Sequence, residues 1–266
     1  MSNKVETESE LDSLKKENLE LKDRIHHLNR EIIAMKEEMI RVRSKYYSQQ
    51  PKTSILTGLP INNSLWAIKM ENFLNRLELD INPQFVTANL IKAYCSSPRS
   101  YHTLLHAIQV ATVGRYLMVI EDRECDYNKI MDVYLAGLWH DAVYIPGNPN
   151  NESASAVLFS LHYPDRNNVA RLISKTTIAD HLSEEPVDIQ LACLLDADLI
   201  SLSAPFDEFM LNNSNICTEQ ECAHSQSSTF LLKFLDKKSI YRTKYCQEHH
   251  EAAARKNIQE YYKLYN

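Results

Sequence analysis

The sequence predicts an all-α chain: a helical bundle preceded by one long N-terminal coiled-coil helix. Three observations lead there. Only four glycines occur in 266 residues, fewer than a β-sandwich or a glycine-loop nucleotide fold requires. From about residue 65 onward the apolar residues recur mostly at intervals of three and four, the period of a helix face. The first fifty residues contain no glycine and no proline and carry a seven-residue repeat, the mark of a coiled coil.

In that repeat, position a takes Leu11, Asn18, Ile25, Ile32 and Met39, and position d takes Leu14, Leu21, Leu28, Met35 and Val42. In a parallel pair, position g of one chain meets e of the next heptad on the other. This matches Glu10 with Lys15, Glu17 with Lys22, Glu31 with Lys36 and Glu38 with Arg43, leaving Arg24 with Asn29 as the pairing without opposite charges. The pattern is self-complementary, so a homodimer satisfies it. Asn18 at an a position is a device for holding two strands in register at some loss of stability. The repeat runs out near Tyr47, and Pro51 and Pro60 break the next stretch of chain. The expected organisation is therefore a coiled coil over 1–50, a linker over 51–63 and a helical domain over 64–266.

Within the domain, Trp66, Met70, Phe73, Leu74 and Leu77 form one helical stripe, and Leu104, Ile108, Val110, Ala111 and Leu117 another. Leu135, Leu138 and Trp139 precede a break at Pro146-Gly147-Asn148-Pro149. Segments 154–161, 169–175, 189–198, 230–235 and 248–265 read as further helices. About 200 residues of helix suffice for one good core.

Composition excludes several classes. Twenty-nine Lys and Arg stand against thirty-five Asp and Glu, a net charge of −6, which disfavours a nucleic-acid protein held by bulk charge. No apolar run approaches the roughly 18 residues of a membrane span. The polar, acidic start MSNKVETESELDS is unlike a signal or transit peptide. Six scattered cysteines without a C-x-x-C pair fit reduced thiols in a cytoplasm.

The chemistry lies in histidines and carboxylates at the ends of apolar helices. His102 and His106 are four apart and share a helix face. His140-Asp141 follows the apolar run Val133–Trp139, and Asp196-Ala197-Asp198 ends another at Leu191–Leu195. Charged groups so placed must be paired, solvated or bound to metal. A mixed imidazole and carboxylate set from several helices suits Mn²⁺, Fe²⁺, Co²⁺, Ni²⁺ or Zn²⁺, and the lack of thiolate ligands argues against a closed structural zinc site.

The order His106, His140-Asp141, Asp198 resembles the H…HD…D pattern of the HD-domain metal-dependent phosphohydrolases, an all-helical superfamily. The chain looks most like a compact branch described as predicted metal-dependent HD phosphohydrolases. The matching stretches are Arg99–His106, His140–Tyr144, Asn151–Ala156, Thr177–His181, Leu195–Leu199, Ile240–Thr243 and Glu251–Asn257. Together they cover about 64–266, with the coiled coil as an addition. Tyr101-His102 with His106-Ala107, and Ala197-Asp198-Leu199, also resemble cyclic-nucleotide phosphodiesterases. The chain departs from those enzymes at Gln109, where they carry Asp, and at Val143-Tyr144, where they carry a second His. It departs from its own branch over Asn212–Ser228, which lacks the acidic-aromatic and Arg-bearing pattern of that branch.

The resemblance implies roles. His106, His140, Asp141 and Asp198 would ligate one divalent metal (Mn, Fe, Co, Ni, Zn or Mg), with Asp196 the alternative to Asp198. His102 would give a proton to the leaving oxygen, or else support a ligand. Glu152 would orient the attacking water, or else cap its helix. Arg99 has the fork that suits a phosphate, or else makes a surface ion pair. His181 would reach the phosphate or a second metal. Glu251 and Arg255 are placed to pair with each other. The implied substrate is a phosphoester or phosphoanhydride, with a nucleotide the favoured class. The contrasting reading is a coiled-coil interaction protein whose domain binds a nucleotide without turning it over.

The repeat makes a direct prediction. The full chain should be dimeric by light scattering, and a chain beginning at Asn63 should be monomeric. Monomers in both cases would mean that the repeat forms no coiled coil.

Overall fold

The computed structural model of the chain describes residues 83–95 and 99–266. The expected coiled coil over 1–50, the linker over 51–63 and the stripe at 66–77 lie outside the described residues. The described part is helical throughout, with no strand among the described residues. Its α-helices are α1 (Pro83–Tyr94), α2 (Leu104–Glu121), α3 (Tyr127–Trp139), α4 (Asn151–His162), α5 (Asn167–Ser174), α6 (Ile178–Leu182), α7 (Ile189–Leu199), α8 (Phe206–Gln220), α9 (His224–Leu235), α10 (Lys244–His249) and α11 (Glu251–Tyr265). A 3₁₀ turn, Ile200–Ser203, extends α7. No single helix among the described residues is long and apolar enough to cross a membrane.

Three helices form the centre. Every residue of α3 from Val133 to Trp139 is buried, as is every residue of α7 from Gln190 to Ala197. A helix apolar on all sides belongs inside a protein. Helix α2 packs against both and buries Ala107, Val110, Ala111, Gly114, Leu117 and Met118 on one stripe. The start of α3 is capped by Asp126, whose carboxylate accepts from Asn128 N at 3.0 Å. Asp188 caps α7 by accepting from Leu191 N at 3.0 Å. Each such cap satisfies an amide that the helix itself leaves unpaired.

The crossing of α2 and α3 is closer than side chains allow. A methyl group on Gly137 would stand 2.6 Å from both the N and Cα atoms of Ala111. About one turn further along α2, a methyl on Gly114 would meet Val133 Cγ1 at 2.9 Å. The first contact is with backbone, which cannot turn aside as a side chain can.

The sequence pattern misses some elements and merges others. Helix α8 buries only Phe209, Asn213, Cys217 and Glu219, a face half polar, so no apolar period announces it. The segment read as one helix over 248–265 is two, because His250 (φ −121°, ψ −27°) breaks it. The break places Glu251 at the start of α11, where its carboxylate accepts from Ile240 N at 3.0 Å and Tyr241 N at 3.2 Å. Arg255 pairs with Glu251 at 2.6 Å and donates to the carbonyls of Leu235, Lys237 and Lys238. These two residues together tie down the loop between α9 and α10.

The tight crossing is testable. Gly137→Ala gains helix propensity but forces backbone apart. The mutant should lose at least about 2 kcal/mol, as overpacked cores do, seen as a fall in Tm of about 4–8 °C. An unchanged Tm would mean that α2 and α3 are not held this closely.

Candidate metal centre and its neighbouring histidine

Three central helices bring the metal-ligand candidates together. His106 lies in the first turn of α2, His140 and Asp141 follow the last residue of α3, and Asp198 lies near the end of α7. His106 Nε2 is 3.0 Å from Asp198 Oδ1 and 3.7 Å from Asp141 Oδ2. His140 Nε2 is 2.9 Å from Asp141 Oδ2 and 3.4 Å from Asp198 Oδ1. His181, on α6, places Nε2 2.9 Å from the other oxygen of Asp198. His106, His140, Asp141 and His181 are buried, and Asp198 is mostly so.

The orientation of His140 suits a metal. Its Nδ1 donates to the carbonyl of Gly137 at 2.9 Å, which turns Nε2 toward the two carboxylates. That Nε2 is fully enclosed and faces the two carboxylates. His106, His140 and Asp141 each offer a ligand atom, and those atoms lie within 4.8 Å of one another. The group can hold a metal ion, and Asp198 touches the same two imidazoles.

Electrostatics point the same way. Burial alone would push the Asp141 carboxyl up, but the charge of His140, then of His102 and His106, holds it well below the usual range. Asp198 is likewise pushed up by burial and brought far down by the charge of His140 and by hydrogen bonds from His106, His140 and His181. His140 would be driven down by burial, yet Asp141 and Asp198 raise it well above an ordinary imidazole. Two carboxylates held ionised in a buried pocket attract positive charge strongly, and a divalent cation competes with the imidazole protons for it.

Asp196 faces elsewhere. Its carboxylate accepts from Arg242 N at 2.8 Å, Thr243 N at 2.7 Å and Thr243 Oγ1 at 2.7 Å. It thereby anchors the loop that starts α10. Burial raises its pKa to about 6 against the pull of those donors. Of the two aspartates ending α7, Asp198 is the one in the histidine cluster.

His102 lies beside this cluster, just before α2. Its Nδ1 donates to Glu219 Oε2 at 2.6 Å. Glu219 also accepts from the backbone N–H groups of Ser100, Tyr101 and His102. Burial raises the Glu219 carboxyl, but the His102 hydrogen bond and charge, with the backbone amides, bring it below its ordinary value. The ring of His102 is edge-on to that of His106, with centroids 5.8 Å apart. Glu219 is not legible in the sequence. It lies on α8, 117 residues from its partner, and no local motif marks it.

The remaining candidates fall around these groups. Glu152, in the first turn of α4, is half-buried, and its carboxyl is raised by burial and then by the charges of Asp141 and Asp198. It therefore shares the field of the cluster. Arg99 donates to the carbonyls of His102 at 3.0 Å, Asp141 at 2.6 Å and Ala142 at 3.1 Å. In this structure its fork is a clamp between the segment before α2 and the loop after α3. Lys237 is buried and donates to the His181 carbonyl at 2.6 Å. Arg242 donates to the carbonyls of Asp180, Ser183 and Glu185, so both cations hold the α6 segment that carries His181. All six cysteines are free.

No protein-family model matches the chain, and a search of the curated proteins finds no relative. The site rests on its own geometry.

Variants distinguish the two kinds of aspartate. His140→Ala and Asp141→Asn should each strip bound transition metal, measured by elemental analysis, with the helical circular dichroism retained. Asp196→Asn should keep the metal but lower stability by about 1–3 kcal/mol, the effect of unpaired buried donors. Full metal content in His140→Ala would remove the centre.

Proposed function

We propose that the chain is a metal-dependent phosphohydrolase of the HD type, acting on a phosphoester or phosphoanhydride, with a nucleotide the favoured substrate class. One observation carries the reading: His106, His140, Asp141 and Asp198 converge from three helices on one buried point, with a hydrogen-bonded His102–Glu219 pair beside it. A general acid next to a metal centre is what metal-assisted hydrolysis of a phosphate requires.

The two imidazoles and two carboxylates would hold the ion. With an ion in place, these four ligands would give the site an acidified water and a polarised phosphoryl oxygen. The protein's own groups do the rest. Glu219 keeps the Nδ1 proton on His102 and aims Nε2 away from itself, so that Nε2 can deliver a proton to the departing oxygen. Glu152 accepts a hydrogen bond from the attacking water and so orients it. Arg99 fixes the distance between the two loops that carry His102 and Asp141. His181 holds the outer oxygen of Asp198.

The N-terminal heptads would dimerise the enzyme, and free thiols suit a reducing, cytoplasmic setting.

The test is a panel of nucleotides and nitrophenyl phosphates assayed with each divalent ion in turn, using the full chain and His102→Ala. The wild type should hydrolyse at least one substrate and lose activity on chelation. His102→Ala should keep its metal and lower kcat about 10²–10⁴-fold on a poor leaving group, with a smaller loss for nitrophenolate, which departs without a proton. Equal losses on both, together with weakened metal binding, would reject the proton-donor role. No hydrolysis under any ion would reject the enzyme.

A further inference from the structure

The chain departs from the phosphodiesterase pattern at Val143-Tyr144, directly after His140-Asp141. The structure gives that departure a context. The Tyr144 ring stacks on the His102 ring, with centroids 4.2 Å apart and planes at 23°. Gln220 Nε2 donates to Tyr144 Oη at 2.6 Å. Gln220 is the last residue of α8 and the neighbour of Glu219, which grips the edge of the same imidazole.

The backbone on either side of Tyr144 is also held. Ser155 Oγ accepts from Val143 N at 2.9 Å and donates to Val143 O at 3.2 Å. The Asn151 side chain accepts from Ile145 N at 3.0 Å and donates to Ile145 O at 2.9 Å. Both Asn151 and Ser155 are buried residues of α4. Arg99 clamps the root of the loop through the carbonyls of Asp141 and Ala142, with its guanidinium carbon 5.5 Å from the Tyr144 ring centre. Three separate elements thus converge to deliver one aromatic ring onto His102.

An imidazole has two ways to go wrong. It can turn about the Cβ–Cγ bond, or swing as a whole about the Cα–Cβ bond. Nδ1 lies off the Cβ–Cγ axis, so the Glu219 hydrogen bond opposes the turn at one atom, while the stacked Tyr144 ring opposes both motions over the whole face of the imidazole. We infer that Tyr144, mounted by Asn151 and Ser155 and tethered by Gln220, is a positioning residue that holds the His102 ring in its proton-delivering orientation. The last turn of α8 acts as one arm with two grips: Glu219 on the edge of His102, and Gln220 on the tyrosine that covers its face. This inference rests on the hydrolase reading above.

The experiment uses the metal-loaded full chain with bis(p-nitrophenyl) phosphate, a good leaving group, and diphenyl phosphate, a poor one. Tyr144→Leu should lower kcat for diphenyl phosphate about tenfold more than for the nitrophenyl diester, within what aromatic stacking supplies, with KM and bound metal unchanged. Tyr144→Phe keeps the ring and loses only the tether, so its selective loss should be about threefold, and Gln220→Leu should match it. Should Tyr144→Leu fail to fold, these two milder variants decide. Equal losses on both diesters, a change in KM alone or a loss of metal would each overturn the positioning role while leaving the hydrolase intact. Failure of the wild type to cleave either diester or any nucleotide would overturn both.

Discussion

Much of this structure depends on how closely two helices approach. The contact between Gly137 and the Ala111 backbone sets the distance between α2 and α3, and the metal candidates sit a short way along each helix. His106 is five residues before Ala111, and His140 is three after Gly137. A wider crossing would carry the two imidazoles apart, and no rotamer change would restore their shared contacts with Asp141 and Asp198. The same glycine takes a second part, since its carbonyl accepts the Nδ1 proton of His140. One position therefore governs both where the imidazole stands and which nitrogen it presents.

Charge adds a second constraint. Four buried titratable groups in contact would ordinarily be prohibitive, because taking ions out of water is costly unless each finds a partner. Here partners are supplied from outside the cluster as well as within it. Helix α6 brings His181 to the outer oxygen of Asp198, and Lys237 and Arg242 hold α6 through its carbonyls. The result is a core of unlike charges whose geometry is fixed by neutral backbone acceptors, leaving the carboxylates turned inward.

Legibility in the sequence tracks the range of the interactions. The all-helical class is readable because glycine scarcity and apolar spacing are local properties. The histidines and aspartates that meet in the structure are also readable, since polar groups terminating the apolar runs 133–139 and 191–195 are conspicuous. Helix α8 is not, because its buried face includes Asn213 and Glu219. The partner of His102 is hidden for the same reason. Arg99 looks like a phosphate fork, and only the folded chain shows that three carbonyls meet it. Asp196 and Asp198 are two residues apart at the end of one helix, and separating them requires knowing that Thr243 waits on the far side.

The long reach of Glu219 has a consequence for biosynthesis. A chain leaves the ribosome from its N-terminus, and domains fold once enough of them has emerged. His102 and His106 appear early, but their carboxylate partners, Glu219 and Asp198, are 117 and 92 residues further on. Contacts of such separation form late, after the entropy of closing a long loop has been overcome. His102 and His106 therefore wait on the nascent chain for these two carboxylates. The buried site is complete only when α7 and α8 have docked, so an ion held there would be captured after those helices fold and not by an earlier fragment of the chain.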